Sequence, residues 1–278
     1  MGDATPQVAI GPDGDVTQPP VPQSGLTGAT RTLRVFKGVP GGEAGYATYE
    51  VPEVVGMVVL DAIHQIQQTQ DGDLACRWNC KAAKCGSCAA EVNGHPVLMC
   101  KTRIDTLPSG TITVQPLKSF PLIKDLVTDV SRNYETNKLI PPFTAAPDDG
   151  TPWRIAQMDI DRIFEYRRCI ECFLCQDVCH VNRTHQLSAR FFGPRFFVRV
   201  ASLEMHPKDV LDRRELLGDQ GGLSLCNITK CCTEVCPEHI HITDNAIIPL
   251  KERVADAHWD PLRWVVRRLR GAPKAGPA

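Results

Sequence analysis

Thirteen cysteines at short, repeated spacings are the residues of this 278-residue chain that point to chemistry. They fall into three groups: Cys76, Cys80, Cys85, Cys88 and Cys100; Cys169, Cys172, Cys175 and Cys179; and Cys226, Cys231, Cys232 and Cys236. The number is odd and the chain is too long for a disulfide mini-scaffold, so metal or redox chemistry is expected. Cys80, Cys85 and Cys88 form C-x4-C-x2-C, with Gly86 in the loop and Cys100 further on. That is the spacing of four thiolates around a [2Fe-2S] cluster. A four-cysteine zinc site is the competing use, but zinc ribbons normally use two C-x2-C knuckles.

Cys169, Cys172, Cys175 and Cys179 spell C-x2-C-x2-C-x3-C, a run in which three cysteines bind one cubane and the fourth reaches a second cluster. The third group repeats the spacing as Cys226, Thr229, Cys232 and Cys236, with threonine in the second slot. The crosswise arrangement gives Cys169, Cys172, Cys175 and Cys236 to a [4Fe-4S] cluster. Cys179, Cys226 and Cys232 are left with one corner lacking a protein ligand, as a [3Fe-4S] cluster requires, and Thr229 marks that corner. Cys231 is the competing fourth ligand, but it sits one residue off the repeat, beside Cys232. Cys76 and Cys231 are then spare, and a free cysteine commonly serves as a small buried apolar group.

These loops need a frame. Leu33 and Val35 alternate with polar neighbours, and so do Tyr46 to Val51 after a turn-rich segment, which reads as a hairpin. Val59, Leu60, Ile63 and Ile66 recur at helical spacing until Asp71-Gly72, and Thr111 to Val114 offers another strand. Residues 31–140 therefore read as a small sheet with one crossing helix around the first cysteine group. Residues 1–30, rich in Pro and Gly and poor in large apolar side chains, read as an extended arm. Pro141 opens a linker at 141–152, and residues 153–258 read as short helices carrying the other eight cysteines. The tail at 259–278 places Leu262, Val265, Val266 and Leu269 on one helical stripe and Arg263, Arg267 and Arg270 on another, with Trp259 and Trp264 nearby. Such a basic amphipathic segment suits a lipid headgroup surface or an anchor subunit, or is an ordinary solvated helix.

Lys and Arg number 31 against 32 Asp and Glu, so no overall positive field exists to hold a phosphate backbone, and nucleic acid is not an expected partner. No uncharged apolar run approaches the roughly 20 residues of a spanning helix. The first residues lack the basic and apolar stretches of a secretory signal, so a reducing compartment is expected.

Three clusters of different nuclearity in one chain resemble the iron-sulfur subunit of the succinate dehydrogenase/fumarate reductase family. The likeness runs from about Arg31 to Lys251, through D-L-A-C-R-W-N-C-K-A-A-K-C-G-S-C-A-A-E-V-N-G, P-L-I-K-D-L-V-T-D and both later cysteine runs, and R-W-N-C-K-A-x-K-C-G-S-C looks most like actinobacterial members. The resemblance implies an α+β chain: an N-terminal β-grasp [2Fe-2S] ferredoxin domain followed by an all-α helical ferredoxin domain. It also implies an electron-transfer subunit between FAD in a partner flavoprotein and quinone at a transmembrane anchor, peripheral on the cytoplasmic face of the plasma membrane. Catalytic residues for succinate are not expected here, since in this family that chemistry belongs to the flavoprotein; the chain holds no G-x-G-x-x-G for a dinucleotide.

The chain departs from the family pattern at several positions. Ala83 replaces a loop glycine between Cys80 and Cys85, and Lys81 and Lys84 add positive charge expected to raise the first cluster's potential, unless both are simply solvated. Proline, tryptophan and histidine, common near the quinone in this family, are replaced by His180, Thr184 and Asn227. These three are the quinone-site candidates, with His180 or His185 able to deliver protons, and the competing use is hydrogen bonding around the last cluster. A stand-alone ferredoxin-like carrier or redox module, or the iron-sulfur subunit of another flavoprotein complex, is the alternative.

Overall fold

The computed structural model describes residues 26–147 and 153–259. The arm before residue 26 and the basic tail after Trp259 lie outside the described residues. Strand β1 (Leu26–Gly38) begins inside the segment that composition assigns to the arm, and pairs antiparallel with β2 (Ala44–Val54) as the expected hairpin. Leu33 faces Tyr49 and Val35 faces Ala47 in that register, which puts the alternating apolar side chains on one buried face. Helix α1 (Val59–Thr69) covers that face with Val59, Leu60, Ile63 and Ile66. Each such side chain contributes about 1.5–3 kcal/mol on burial. The helix stops where the N–H groups of Gln70 and Asp71 both turn back to the Ile66 carbonyl.

A second hairpin, β3 (Ala89–Val92) and β4 (His95–Leu98), turns on Asn93-Gly94, both with positive φ. That dipeptide suits the tight turn that matches strand twist. Strand β5 (Ile112–Gln115) runs parallel to β1 and antiparallel to β3, closing a five-stranded sheet in the order β2-β1-β5-β3-β4. A small ribbon, β6 (Leu122–Lys124) and β7 (Val127–Thr128), follows.

Beyond β7 the described chain is helical, apart from one isolated bridge between Ala145 and Asp209. Helix α2 (Ser131–Lys138) precedes the linker, and Arg213, fully buried, binds the Pro141 and Pro142 carbonyls at 3.0 and 2.9 Å. The start of the linker is thereby fastened to the second half. Helices α3 (Gln157–Arg167), α4 (Leu174–Asp177), α5 (His180–Arg183), α6 (Pro194–Glu204), α7 (Cys231–Glu234) and α8 (Ile248–Trp259) make up that half with three short irregular turns. Phe191, Phe196, Phe197, Val200 and Ile247 form its core. Among the described residues no helix is long and apolar enough to cross a membrane.

Candidate metal centres

All thirteen cysteines are free thiols, and they gather in three places. The first place is the loop between α1 and β3. Lys81, Ala83 and Gly86 hold positive φ there, which curls the backbone so that its N–H groups point inward. The Ala82 and Lys84 N–H groups each lie 3.3 Å from the Cys80 sulfur, and the Cys80 N–H lies 3.5 Å from that of Cys85. Inward N–H donors around sulfur stabilise thiolate and bridging sulfide. Burial pushes the Cys85 thiol up, but hydrogen bonds from Ser87 and from the Cys80 and Ser87 backbone outweigh it and bring it down to about 7. Cys88 is buried and pushed up to about 12, with Cys100 beside it. Arg77 to Ala82, including Cys80, are exposed, so this loop presents one rim to the surface.

The two later groups form a structural repeat. Glu171 and Phe173 in the first copy, and Ile228 and Lys230 in the second, all have φ between 55° and 63°. Each copy then enters a four-residue helix, α4 or α7. Identical backbone turns thus wrap Cys172 in one copy and Thr229 in the other. The thiols come together across the copies. Cys169, Cys172 and Cys175 of the first copy line one cavity with Cys236 of the second.

Burial holds these thiols protonated in the metal-free chain: Cys172 and Cys232 are pushed up to about 12, Cys179 to about 11 and Cys175 well above its ordinary value. Ionising such buried thiols is costly without a compensating cation, which bound iron supplies as it takes the thiolate and releases the proton. The donors gathered here are cysteine thiols, the ligand type of iron-sulfur clusters.

Supporting groups surround the sulfurs. The Thr243 hydroxyl lies 3.4 Å from Cys232 and is held by Thr233, and the Ile240 N–H reaches Cys236 at 3.5 Å. Glu165 accepts from the His241 N–H at 2.7 Å and from Asn245 at 2.5 Å, pinning the segment after Cys236 to α3. Burial pushes Glu165 up, and these bonds overcome it and hold its carboxyl below the usual range. Cys76 packs against the first core, where burial alone pushes its thiol up to about 12.

The three places are close-coupled. Cys172 and Leu174, from the second half, belong to the core of the first. Fully buried Glu91 on β3 accepts from Gln115 and from Arg183, each at 2.5 Å, and Arg183 reaches Asp177 at 3.2 Å. Asp177 also accepts the Ser119 N–H at 2.9 Å. Burial and the adjacent Glu91 carboxylate raise Asp177 to about 7. Lys84, expected to add positive charge near the first cluster, pairs with Glu238 at 3.1 Å, and Lys81 lies 4.8 Å from the Trp78 ring centre. The pair also links the first cysteine loop to the second half. His180, Thr184 and Asn227 are exposed, His180 and Asn227 adjoining Cys179 and Cys226 in sequence.

Residues 32–135 match the family model described as a 2Fe-2S iron-sulfur cluster binding domain, and 165–240 match a 4Fe-4S dicluster domain. The chain is 30% identical to the fumarate reductase iron-sulfur subunit of Mycobacterium tuberculosis, over 66% of this chain and 75% of the relative. It is 31% identical to the fumarate reductase iron-sulfur subunit of Wolinella succinogenes, over 69% and 80%. A chain of the Mycobacterium smegmatis Sdh1 complex in the apo form superposes with a TM-score of 0.78 at 57% identity, covering 84% of this chain and 98% of that one. Electron transfer through bound clusters is the work of such a subunit. The chain belongs to the family of iron-sulfur subunits of fumarate reductase and succinate dehydrogenase.

Proposed function

We propose that this subunit carries electrons from FAD in a partner flavoprotein, through three clusters in series, to quinone at a transmembrane anchor. The clusters supply one-electron carriers when bound. Cys80, Cys85, Cys88 and Cys100 would hold the [2Fe-2S] cluster, and Cys169, Cys172, Cys175 and Cys236 the [4Fe-4S] cluster. Cys179, Cys226 and Cys232 would hold the [3Fe-4S] cluster.

The observation that carries this reading is the order of exposure. The first group has an exposed rim at Arg77–Ala82 and the last has exposed residues at Asn227–Lys230, while in the middle group Cys172 and Cys175 are buried and Cys169 and Cys236 half-buried. A series of carriers with an exposed rim at its first group and another at its last suits transfer between two different partners. A stand-alone carrier needs one exposed site. The first rim, with Trp78 at 47% exposure, faces the flavoprotein, and the last, with His180, Thr184 and Asn227, faces the quinone. Attachment at the cytoplasmic face of the plasma membrane then runs through the anchor.

Substituting Cys175→Ser in the purified complex separates the two ends. Succinate-driven reduction of an artificial dye at the flavoprotein should persist while quinone reduction is lost. Quinone reduction at the unaltered rate would contradict the relay. At the far end, His180→Ala should raise the KM for quinone, and an unchanged KM and turnover would remove His180 from the site.

A further inference from the structure

Thr229 occupies the slot where the second cysteine run lacks a thiolate, and its hydroxyl lies 3.3 Å from the sulfur of Cys231. The thiol that sits off the repeat in sequence thus reaches, in space, the corner that Thr229 leaves bare. The loop at that corner is already shaped for a ligand, because Ile228 and Lys230 repeat the left-handed turns that flank Cys172.

Two further observations set Cys231 apart from an ordinary spare cysteine. It is absent from the hydrophobic core that Cys232 joins, and it stands only partly buried beside the exposed residues 227–230.

We propose that Cys231 is a conditional fourth ligand of the terminal cluster, binding one added ferrous ion at the corner marked by Thr229. The proposal rests on the assignment of Cys179, Cys226 and Cys232 to a three-iron cluster. Uptake balances without any electron exchange. The reduced three-iron core, of zero charge, takes one Fe(II), and Cys231 forms the new Fe–S bond and loses its thiol proton. A four-iron core of charge 2+ and one proton result. Electrons that first reduce the core come from succinate through the flavoprotein. The Thr229 hydroxyl holds the Cys231 sulfur in place before iron arrives.

The test uses the purified complex, reduced with succinate without air, incubated with ferrous ammonium sulfate, desalted, and oxidised anaerobically with a quinone. Low-temperature EPR and iron per complex are read before and after. The expected result is loss of the oxidised three-iron signal together with gain of one iron in the native complex, and retention of the signal with no gain in Cys231→Ala. Cys231→Ser serves as the milder variant, with weaker uptake expected. A native complex that keeps its signal and gains no iron would overturn the proposal, as would a Cys231→Ala complex that takes up iron like the native one. A four-iron cluster at the outset that becomes three-iron in Cys231→Ala would support Cys231 as ligand while contradicting a three-iron resting state. Absence of any cluster at this place in every sample would sink the three-iron assignment itself, and the proposal with it.

Discussion

A β-carbon placed on Gly86 would lie 2.6 Å from the Cα of Cys172 and 2.9 Å from its N. The loop around the first candidate cluster therefore rests directly on the backbone of the second, and no side chain separates them. Gly86 also holds φ +70°, a conformation costing an L-residue roughly 1–2 kcal/mol. Gly86→Ala adds a clash with backbone that cannot swing aside. The expected outcome is destabilisation of about 2 kcal/mol or more, with slower electron passage and weaker magnetic coupling between the first two clusters. EPR of the partly and fully reduced complex checks the coupling, and coupling equal to the native value would show that Gly86 does not set the approach.

Arg183 lies between two buried carboxyl groups, Glu91 and Asp177, from the two halves of the chain. Removing one partner of a buried ionic group leaves charge uncompensated at a cost of about 3–5 kcal/mol, less here because Arg183 is partly exposed. Arg183→Met should lower the denaturation midpoint and loosen the junction, detected as faster proteolysis between the halves. An unchanged midpoint would mean that the carboxyl groups find other partners.

Ala83 stands where the family loop carries glycine, and its φ is +54°. Ala83→Gly should relieve about 1 kcal/mol of backbone strain, offset in part by added freedom of the unfolded chain. Slower loss of the first cluster's visible absorbance under a chelator is the expected readout, and faster loss would contradict the strain argument.

Asp71 accepts hydrogen bonds from Lys37 and Tyr49, each at 2.5 Å, and these hold its carboxyl below the usual range. A depressed carboxyl pKa stabilises the fold above its unfolded value near 3.9, and the contribution fades as pH falls through the lower folded value. Asp71→Asn should cost about 1–2 kcal/mol at neutral pH, and this deficit should shrink below about pH 4. Denaturation midpoints of the native and variant complexes across that range check the sign; a deficit that grows on acidification would contradict it.

The first hairpin, α1 and the paired cysteine runs were legible because each depends on local spacing: alternation in Leu33 and Val35, helical recurrence from Val59 to Ile66, and ligand intervals that the backbone repeats at Glu171 and Ile228. The β3–β4 hairpin is not among the expected elements: Asn93-Gly94 marks its turn, but its strands are only four residues long, too short for alternation to stand out. Glu91 gave no sign of being buried, since its partner Arg183 lies 92 residues away. The Lys84–Glu238 pair spans 154 residues, a separation that local spacing does not reveal. Cys231 looked misplaced for the same reason: position along the chain was visible, but its approach to Thr229 depends on the turn at Lys230.

The central claim is that the thiols of this chain hold three different clusters in series, and low-temperature EPR of the air-oxidised and then succinate-reduced complex tests it most directly. The account predicts a three-iron signal in the oxidised sample that vanishes with succinate while a [2Fe-2S] signal grows. A complex with no three-iron signal before reduction and no [2Fe-2S] signal after it would contradict the account.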